Sequence, residues 1–166
     1  MSDTNARDDE HPYRNAGWDT DIYPMPAFPM LTASNLERTR RWYIQVLGFA
    51  DVFTFRTPDG APLLAHLRWS RWADILITPA RNPLPDHPAQ GLTLNFMTVD
   101  ADAIAEQAKA RGATIIDGPV DRPWNARDVT IADPDGYRLN FTARQQSESS
   151  RTVSFEEVME RARKNV

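Results

Sequence analysis

The chain has 166 residues, a net charge of −4 and an isoelectric point of about 5.3, a balance that argues against nucleic acid and anionic membranes as partners and is compatible with a cationic ligand. The absence of cysteine excludes disulfides, thiolate metal sites and cysteine nucleophiles. No apolar run approaches the roughly 20 residues of a membrane span and the N-terminus shows no signal-peptide pattern, which together predict a cytoplasmic protein.

The first half of the chain predicts one strand, one helix and three further strands. Residues 1–22 are polar and charged, which is typical of a flexible tail. A strand is expected over 27–33, followed by a helix that has Ser34 as its N-cap, Glu37 completing a capping box, and Gly48 at its end. The next predicted strands are 49–57, 61–68 and 72–78.

The same pattern then starts again. Its predicted elements are a strand at 91–98, a helix at 100–111 ended by Gly112, a short strand at 113–116, a loop at 117–125 and a β-hairpin at 127–143. Within the hairpin, Asp133-Pro134-Asp135-Gly136 predicts a tight turn. Two strand–helix–three-strand (βαβββ) units, offset by about 65 residues, indicate an internal repeat, and the two must pack together because one alone leaves a sheet face bare.

The chain continues past this repeat. A Ser/Gln-rich stretch leads to Ser154-Phe155-Glu156-Glu157, a second capping box that predicts a C-terminal helix. The expected organisation is therefore a tail over 1–22, one domain over 23–143 with modules at about 26–80 and 91–143, and a linker with a helix over 144–166.

Several of these segments resemble a known superfamily. The paired units, the helix end RRWYIQVLGF, the second helix end AKARGAT and the segment RPWNARDVTIADPDGYRLNF are similar to the vicinal oxygen chelate superfamily, above all its bleomycin-resistance branch. Glyoxalase I and the extradiol dioxygenases are other members. The resemblance covers about residues 26–143. It implies an α+β fold in which two βαβββ modules form an open, half-barrel-like sheet with a concave cleft, and a homodimer that builds its clefts from both chains.

Metal-dependent members of that superfamily hold an ion with His, Gln and Glu side chains on four strands. Carried over to this sequence, the four positions fall on Phe28, Leu76, Thr93 and Asn140. A catalytic divalent ion needs about three imidazole or carboxylate donors on one face, and none of these side chains is one. The sequence therefore predicts no metal, no cofactor and no catalytic residues.

Alternation along the strands separates two sheet faces. One face is apolar and is expected to pack beneath the helices; it comprises Leu31, Ala33, Ile75, Ile77, Leu92, Leu94, Phe96, Leu139 and Phe141. The opposite face mixes aromatic, Met and polar groups, as a ligand cleft does. The predicted cleft residues are Phe28, Met30, Trp72, Asp74, Leu76, Thr93, Asn95, Trp124, Arg138 and Asn140. The alternative is that this face is an interface between modules or subunits.

Individual roles follow from side-chain chemistry. Trp72 and Trp124 are candidates for stacking on a planar ligand, although Trp124 is equally suited to capping the end of the sheet. Asp74 is suited to pairing with a cationic group of a ligand, or with Arg138 or another arginine. The adjacent Arg127-Asp128 pair is placed along the cleft by the resemblance, and a cross-strand or rim ion pair is the favoured interpretation.

Three functions are compatible with these features. The leading hypothesis is a metal-free protein that binds a small molecule and sequesters a planar or cationic aromatic compound. The second is a metal-dependent lyase, isomerase or dioxygenase of the same superfamily with non-standard ligands such as His66, Asp74 or His87. The third is a non-catalytic domain that docks on a protein partner through its C-terminal helix.

Overall fold

The computed structural model describes residues 25, 27–86 and 90–145. The predicted N-terminal tail and C-terminal helix lie outside these residues. The first module contains β1 (Met30–Ala33), α1 (Leu36–Trp42), a π-helical turn (Tyr43–Leu47), β2 (Ala50–Arg56), β3 (Pro62–Ser70) and β4 (Ala73–Pro79). The second contains β5 (Thr93–Thr98), α2 (Ala101–Ala110), β6 (Thr114–Arg122), β7 (Ala126–Ala132) and β8 (Arg138–Arg144). Neither helix has the length and apolar character that crossing a membrane requires, within the part of the chain that is described.

The strands form two four-stranded sheets of the same topology. Sheet 1 has the order β1-β4-β3-β2 and sheet 2 the order β5-β8-β7-β6. In each sheet the first and last strands of the module pair in parallel, and the remaining pairs are antiparallel. Both sheets are open. The predicted α+β fold with a duplicated βαβββ unit is confirmed.

One hydrophobic core joins the two modules. The inner faces of both sheets and the helices contribute to it, as the alternation pattern predicts. Trp69 of the first module contacts two residues of the second. Its ring centroid lies 5.0 Å from that of Phe141, and its Nε1 donates to the Met97 carbonyl at 2.8 Å. Leu92, predicted to pack beneath the helices, is instead 48 % exposed, because it precedes the first residue of β5.

The helix α1 begins one residue later than predicted. Its N-cap is Asn35, whose side-chain oxygen accepts from the Arg38 amide at 3.0 Å. Ser34, the predicted cap, is engaged elsewhere: its amide donates to Asp135 Oδ1 at 3.1 Å and its hydroxyl donates to the same oxygen. Thr39 Oγ1 donates to the other oxygen of Asp135 at 2.7 Å. The cap therefore shifts because a carboxylate of the second module binds the start of the first helix.

That carboxylate belongs to the predicted turn, which the structure confirms. Gly136 has φ of 90°, and its amide donates to the Asp133 carbonyl at 3.1 Å. Asp133 Oδ1 accepts from the amides of Asp135 and Tyr137, both at 2.9 Å, and Oδ2 accepts from the Tyr43 hydroxyl at 3.1 Å. Burial of this carboxyl raises the pKa of Asp133 to about 6 despite these hydrogen bonds.

The strand β6 is longer than predicted. A loop was expected over 117–125, but the strand continues to Arg122, with irregular pairing between Ile115 and Asp117 and between Asp117 and Val120. The cis Gly118–Pro119 bond lies in the second irregularity. Because β6 is an edge strand, bulges and a proline are compatible with its pairing on one side only. Smaller differences are that β1 begins at Met30 and β5 at Thr93.

Candidate functional site

Each sheet turns one side towards the helices and the core and the other away from them; we call the latter its open face. On sheet 2 the open face carries a chain of hydrogen bonds between neutral side chains. Asn140 Nδ2 donates to Asn95 Oδ1 and to Thr142 Oγ1, both at 3.0 Å, while its Oδ1 accepts from Thr130 Oγ1 at 3.1 Å. This amide network spans β5, β8 and β7. Every polar atom of the Asn140 side chain is therefore engaged within the protein.

A carboxylate lies next to the amide network on the same face. Asp128 alternates with the buried Val129, so it shares the open face with Thr130. Its Oδ2 accepts from Arg122 Nε at 3.2 Å, while its Oδ1 is buried and has no hydrogen-bond partner. Arg122 also donates through Nη2 to Asp117 at 2.5 Å.

The arginine is held more closely by Asp117 than by Asp128. The pKa of Arg122 is raised, first by its hydrogen bond with Asp117, against the opposing effect of burial. The sequence predicts a cross-strand or rim ion pair for Asp128 and does not include it among the cleft residues. Its alternation with Val129 and Ile131 is the signal that places it on the same face as Asn140, where the register sets it opposite Thr142.

The open face of sheet 1 has a different chemistry. Asp74 receives a forked pair of hydrogen bonds from the fully buried Arg68, Nε to Oδ1 at 2.7 Å and Nη2 to Oδ2 at 3.3 Å. His66 Nε2 lies 3.3 Å from Asp74 Oδ2 but not in hydrogen-bonding geometry. Asp74 thus pairs with an arginine, one of its two predicted roles, although the arginine is Arg68 and not Arg138. Its charge is already neutralised by that guanidinium.

The two candidate stacking residues lie in turns at sheet ends. Trp72 follows β3 in the tight turn to β4, is 68 % exposed and has φ of 71°, a left-handed conformation that bulky residues seldom adopt. The Arg71 guanidinium lies 5.8 Å from the centroid of its ring. Trp124 lies between β6 and β7 and is 55 % exposed. No ring contact joins these two described tryptophans, which belong to different sheets.

The other predicted cleft residues divide between the two sheets. On sheet 1, Met30 is exposed and pairs in register with the buried Leu76, and Phe28 is exposed just before β1. On sheet 2, the register pairs the exposed Thr93 with the exposed Arg138. It also pairs Asn95 with Asn140, the residue at the fourth ligand position of the superfamily. The residue of β5 that lies opposite this position is therefore Asn95 and not Thr93. The predicted strand residues thus fall into two groups, one on each sheet, while Phe28, Trp72 and Trp124 lie outside the strands.

Arg127 points to the opposite side of sheet 2. Its guanidinium donates to both oxygens of Asp102 on α2, at 2.5 and 2.8 Å, and to Asp121 at 2.7 Å. These carboxylates raise its pKa further, with Asp102 the larger cause. The rim ion pair favoured for this residue is thus observed, with partners from α2 and β6.

The two surface cavities that the described residues form most clearly lie on the helix side. One, of about 480 Å³, is lined by α1 and the turn after it, and the other, of about 520 Å³, lies between α2 and β6. Neither contacts any of the ten predicted cleft residues.

The side chains at the superfamily's ligand positions do not fit a divalent ion. Phe28 and Leu76 have no donor atom, Thr93 offers a hydroxyl, and Asn140 uses its amide within the network. Outside these positions, no three His, Asp or Glu side chains in the described part of the chain lie close enough together to hold an ion. His66 and Asp74 do approach each other, but Arg68 binds both oxygens of Asp74, and His87 lies outside the described residues.

Paired βαβββ modules with two open sheets define the vicinal oxygen chelate architecture. The family model described as the Glyoxalase/Bleomycin resistance protein/Dioxygenase superfamily matches residues 27–141. The chain belongs to this superfamily. No curated protein matches the sequence.

Solved structures share this fold at low sequence identity. TioX from Micromonospora sp. ML1 is 22 % identical with a TM-score of 0.59, covering 70 % of this chain and 95 % of its own. TnmS3 from Streptomyces sp. CB03234, described as an antibiotic binding protein, is 24 % identical with a TM-score of 0.55, covering 76 % and 98 %. A superfamily member from Sphaerobacter thermophilus DSM 20745 is 20 % identical with a TM-score of 0.57, covering 74 % and 98 %.

Proposed function

We propose that this protein binds a planar or cationic aromatic small molecule at the open faces of its sheets and sequesters it without transforming it. The observation that carries the proposal is the amide network of sheet 2. Where metal-dependent relatives place an acidic ligand, this chain has Asn140, and its amide is fixed by Asn95, Thr130 and Thr142. A fixed, neutral polar surface of this kind suits the wall of a ligand cleft and not a metal site.

The exposed indoles supply the apolar part of such a site. Trp72 keeps a left-handed backbone conformation that costs a non-glycine residue about 1–2 kcal/mol. Strain of this kind at an exposed position is common where a side chain serves binding. A relative of the same fold, TnmS3, is described as an antibiotic binding protein, and this supports a ligand of the same general kind here.

The proposal keeps the predicted cleft residues with one change of role. Asp74 organises Arg68 on sheet 1 and does not bind the ligand's charge. We also propose that the protein is a homodimer and that it is located in the cytoplasm. The resemblance to the bleomycin-resistance branch supports the dimer.

A ligand screen tests the proposal. Planar antibiotics and aromatic metabolites are titrated into the full-length protein while tryptophan emission is followed, and hits are measured again by calorimetry. For a hit, Trp72→Ala or Trp124→Ala should weaken binding about tenfold, because stacking on an aromatic ring contributes about 1–3 kcal/mol. Calorimetry is needed for the variants because each removes a fluorophore.

Val99→Ala is the matched control. Val99 is an exposed apolar residue between β5 and α2, outside both open faces, and its truncation should leave the affinity unchanged. If no compound changes the emission or gives a heat of binding, the proposed function is wrong. Chemical conversion of a bound compound by the purified protein would contradict sequestration.

A further inference from the structure

We infer that the ligand carries a cationic or N–H donor group that pairs with Asp128 on the open face of sheet 2, and that Arg122 occupies this carboxylate until the ligand displaces it. The inference rests on the proposed function. It adds the chemical class of the ligand and the residue that anchors it.

The Asp128 carboxylate is only half satisfied within the protein. Arg122 donates to Oδ2, while Oδ1 is buried without a hydrogen-bond partner in a residue that is 5 % exposed. Buried polar atoms without partners are rare in native proteins, because each forgoes the hydrogen bonds that water would supply. An ionised carboxylate is an especially strong acceptor. The unpartnered oxygen therefore marks a place where a donor from outside the chain would be stabilised.

Arg122 is placed so that it can leave Asp128 without losing every partner. Its contact with Asp117 is short, 2.5 Å, whereas its contact with Asp128 is 3.2 Å. The Asp117 side chain is 51 % exposed, so an arginine that pairs with it alone remains near water. Because solvating a guanidinium is favourable, rotation of Arg122 towards Asp117 sacrifices only the weaker contact. A ligand cation would then take the vacated position at Asp128.

The surroundings of Asp128 fit a planar cation. Trp124 lies in the turn that precedes β7, and Asp128 is the third residue of that strand. At about 3.3 Å per residue, the carboxylate lies about 7 Å along the strand from its first residue. A fused ring system that reaches Asp128 is therefore long enough to extend to the turn that carries Trp124. A cation over an indole ring gains a further attraction.

The other open face does not offer this arrangement. Asp74 on sheet 1 has both oxygens bound by the fully buried Arg68, so neither of its oxygens lacks a partner. A ligand cation would have to compete with a fully buried guanidinium there. Sheet 2 is therefore the face that recognises the charge.

Two dyes of the same ring system test the inference. 9-Aminoacridine is a planar cation with N–H donors at neutral pH, and acridine is its neutral counterpart without them. Calorimetric titration of the wild-type protein should give tighter binding of 9-aminoacridine. Asp128→Asn should weaken 9-aminoacridine binding about tenfold and leave acridine binding unchanged, because only the charge-assisted contact is lost. Arg122→Gln should strengthen 9-aminoacridine binding severalfold, since the competing guanidinium is gone.

Arg127→Gln is the matched control for the loss of positive charge. It removes one charge from the same hairpin, but Arg127 contacts Asp102 and Asp121 and not Asp128. Its affinity for 9-aminoacridine should stay close to that of the wild type. Circular dichroism of every variant establishes that it is folded.

The outcomes separate the two proposals. If both dyes bind and Asp128→Asn leaves the affinity for 9-aminoacridine unchanged, the inference is wrong and the proposed function stands. If neither dye binds the wild type, the inference is overturned, while the wider ligand screen still decides the proposed function. Should Asp128→Asn fail to fold, equal affinities of the Arg122→Gln and Arg127→Gln variants would contradict the displacement of Arg122.

Discussion

The buried carboxyl of Asp133 makes a quantitative prediction about stability against pH. Its pKa is raised from 3.8 to about 6 in the folded protein, chiefly by burial. Between those values the folded chain holds a proton that the unfolded chain has released. The free energy of unfolding therefore falls as the pH rises through this window. A shift of about 2 units corresponds to about 3 kcal/mol.

The substitution Asp133→Asn isolates this contribution. Asparagine keeps an oxygen that can accept from the amides of Asp135 and Tyr137, and its NH₂ group can donate to the Tyr43 hydroxyl. It carries no titrating group. Relative to the wild type, the variant should therefore gain about 3 kcal/mol of stability between about pH 4 and about pH 7.

Urea unfolding followed by far-ultraviolet circular dichroism, repeated across that pH range for both proteins, measures the difference. Asp59→Asn is the control, because Asp59 is an exposed carboxylate whose pKa is lowered, first by a hydrogen bond with Thr57. Its removal should give a small change of the opposite sign. A stability difference between wild type and Asp133→Asn that stays constant with pH, or that favours the wild type as pH rises, would refute the assignment.

Two further pairs of substitutions test local geometry. Gly118→Ala should destabilise the protein by more than about 3 kcal/mol in urea unfolding, because a Cβ there would overlap the Asp128 carbonyl oxygen. Gly91→Ala has the same φ of 83° but open space around it, so it should cost only about 1 kcal/mol; equal losses would contradict the steric reason. At Trp72, glycine should leave the protein about 1 kcal/mol more stable than alanine, since both remove the indole but only glycine relieves the left-handed backbone. Equal stabilities of these two variants would show that the backbone at this position is not strained.

Much of the fold can be predicted from the spacing of residues that are close together in the chain. Period-two alternation predicts the strands, and the Asp133–Gly136 turn predicts the last hairpin, without reference to any tertiary contact. The repeat of one unit then required two modules to share a core. These features depend on residues close together in the chain, which is why their spacing is sufficient.

The sequence predictions that were wrong concern positions where contacts with distant residues override local conformational preferences. Ser34 has the chemistry of an N-cap, but Asp135, 101 residues away, takes its amide and hydroxyl, so Asn35 caps the helix. Along β6, where a loop was predicted over 117–125, a glycine and a proline are accommodated in bulges because the strand pairs on one edge only.

The candidate site divides in the same way. The sequence by itself determined that the superfamily's ligand positions hold Phe28, Leu76, Thr93 and Asn140, because side-chain identity needs no coordinates. Only the tertiary structure decided that Arg68 neutralises Asp74 and that Asp128 keeps one buried oxygen without a partner. The physical reason is that alternation specifies which sheet face a side chain occupies. Strand register and packing determine which charged groups it contacts and how far it is removed from water.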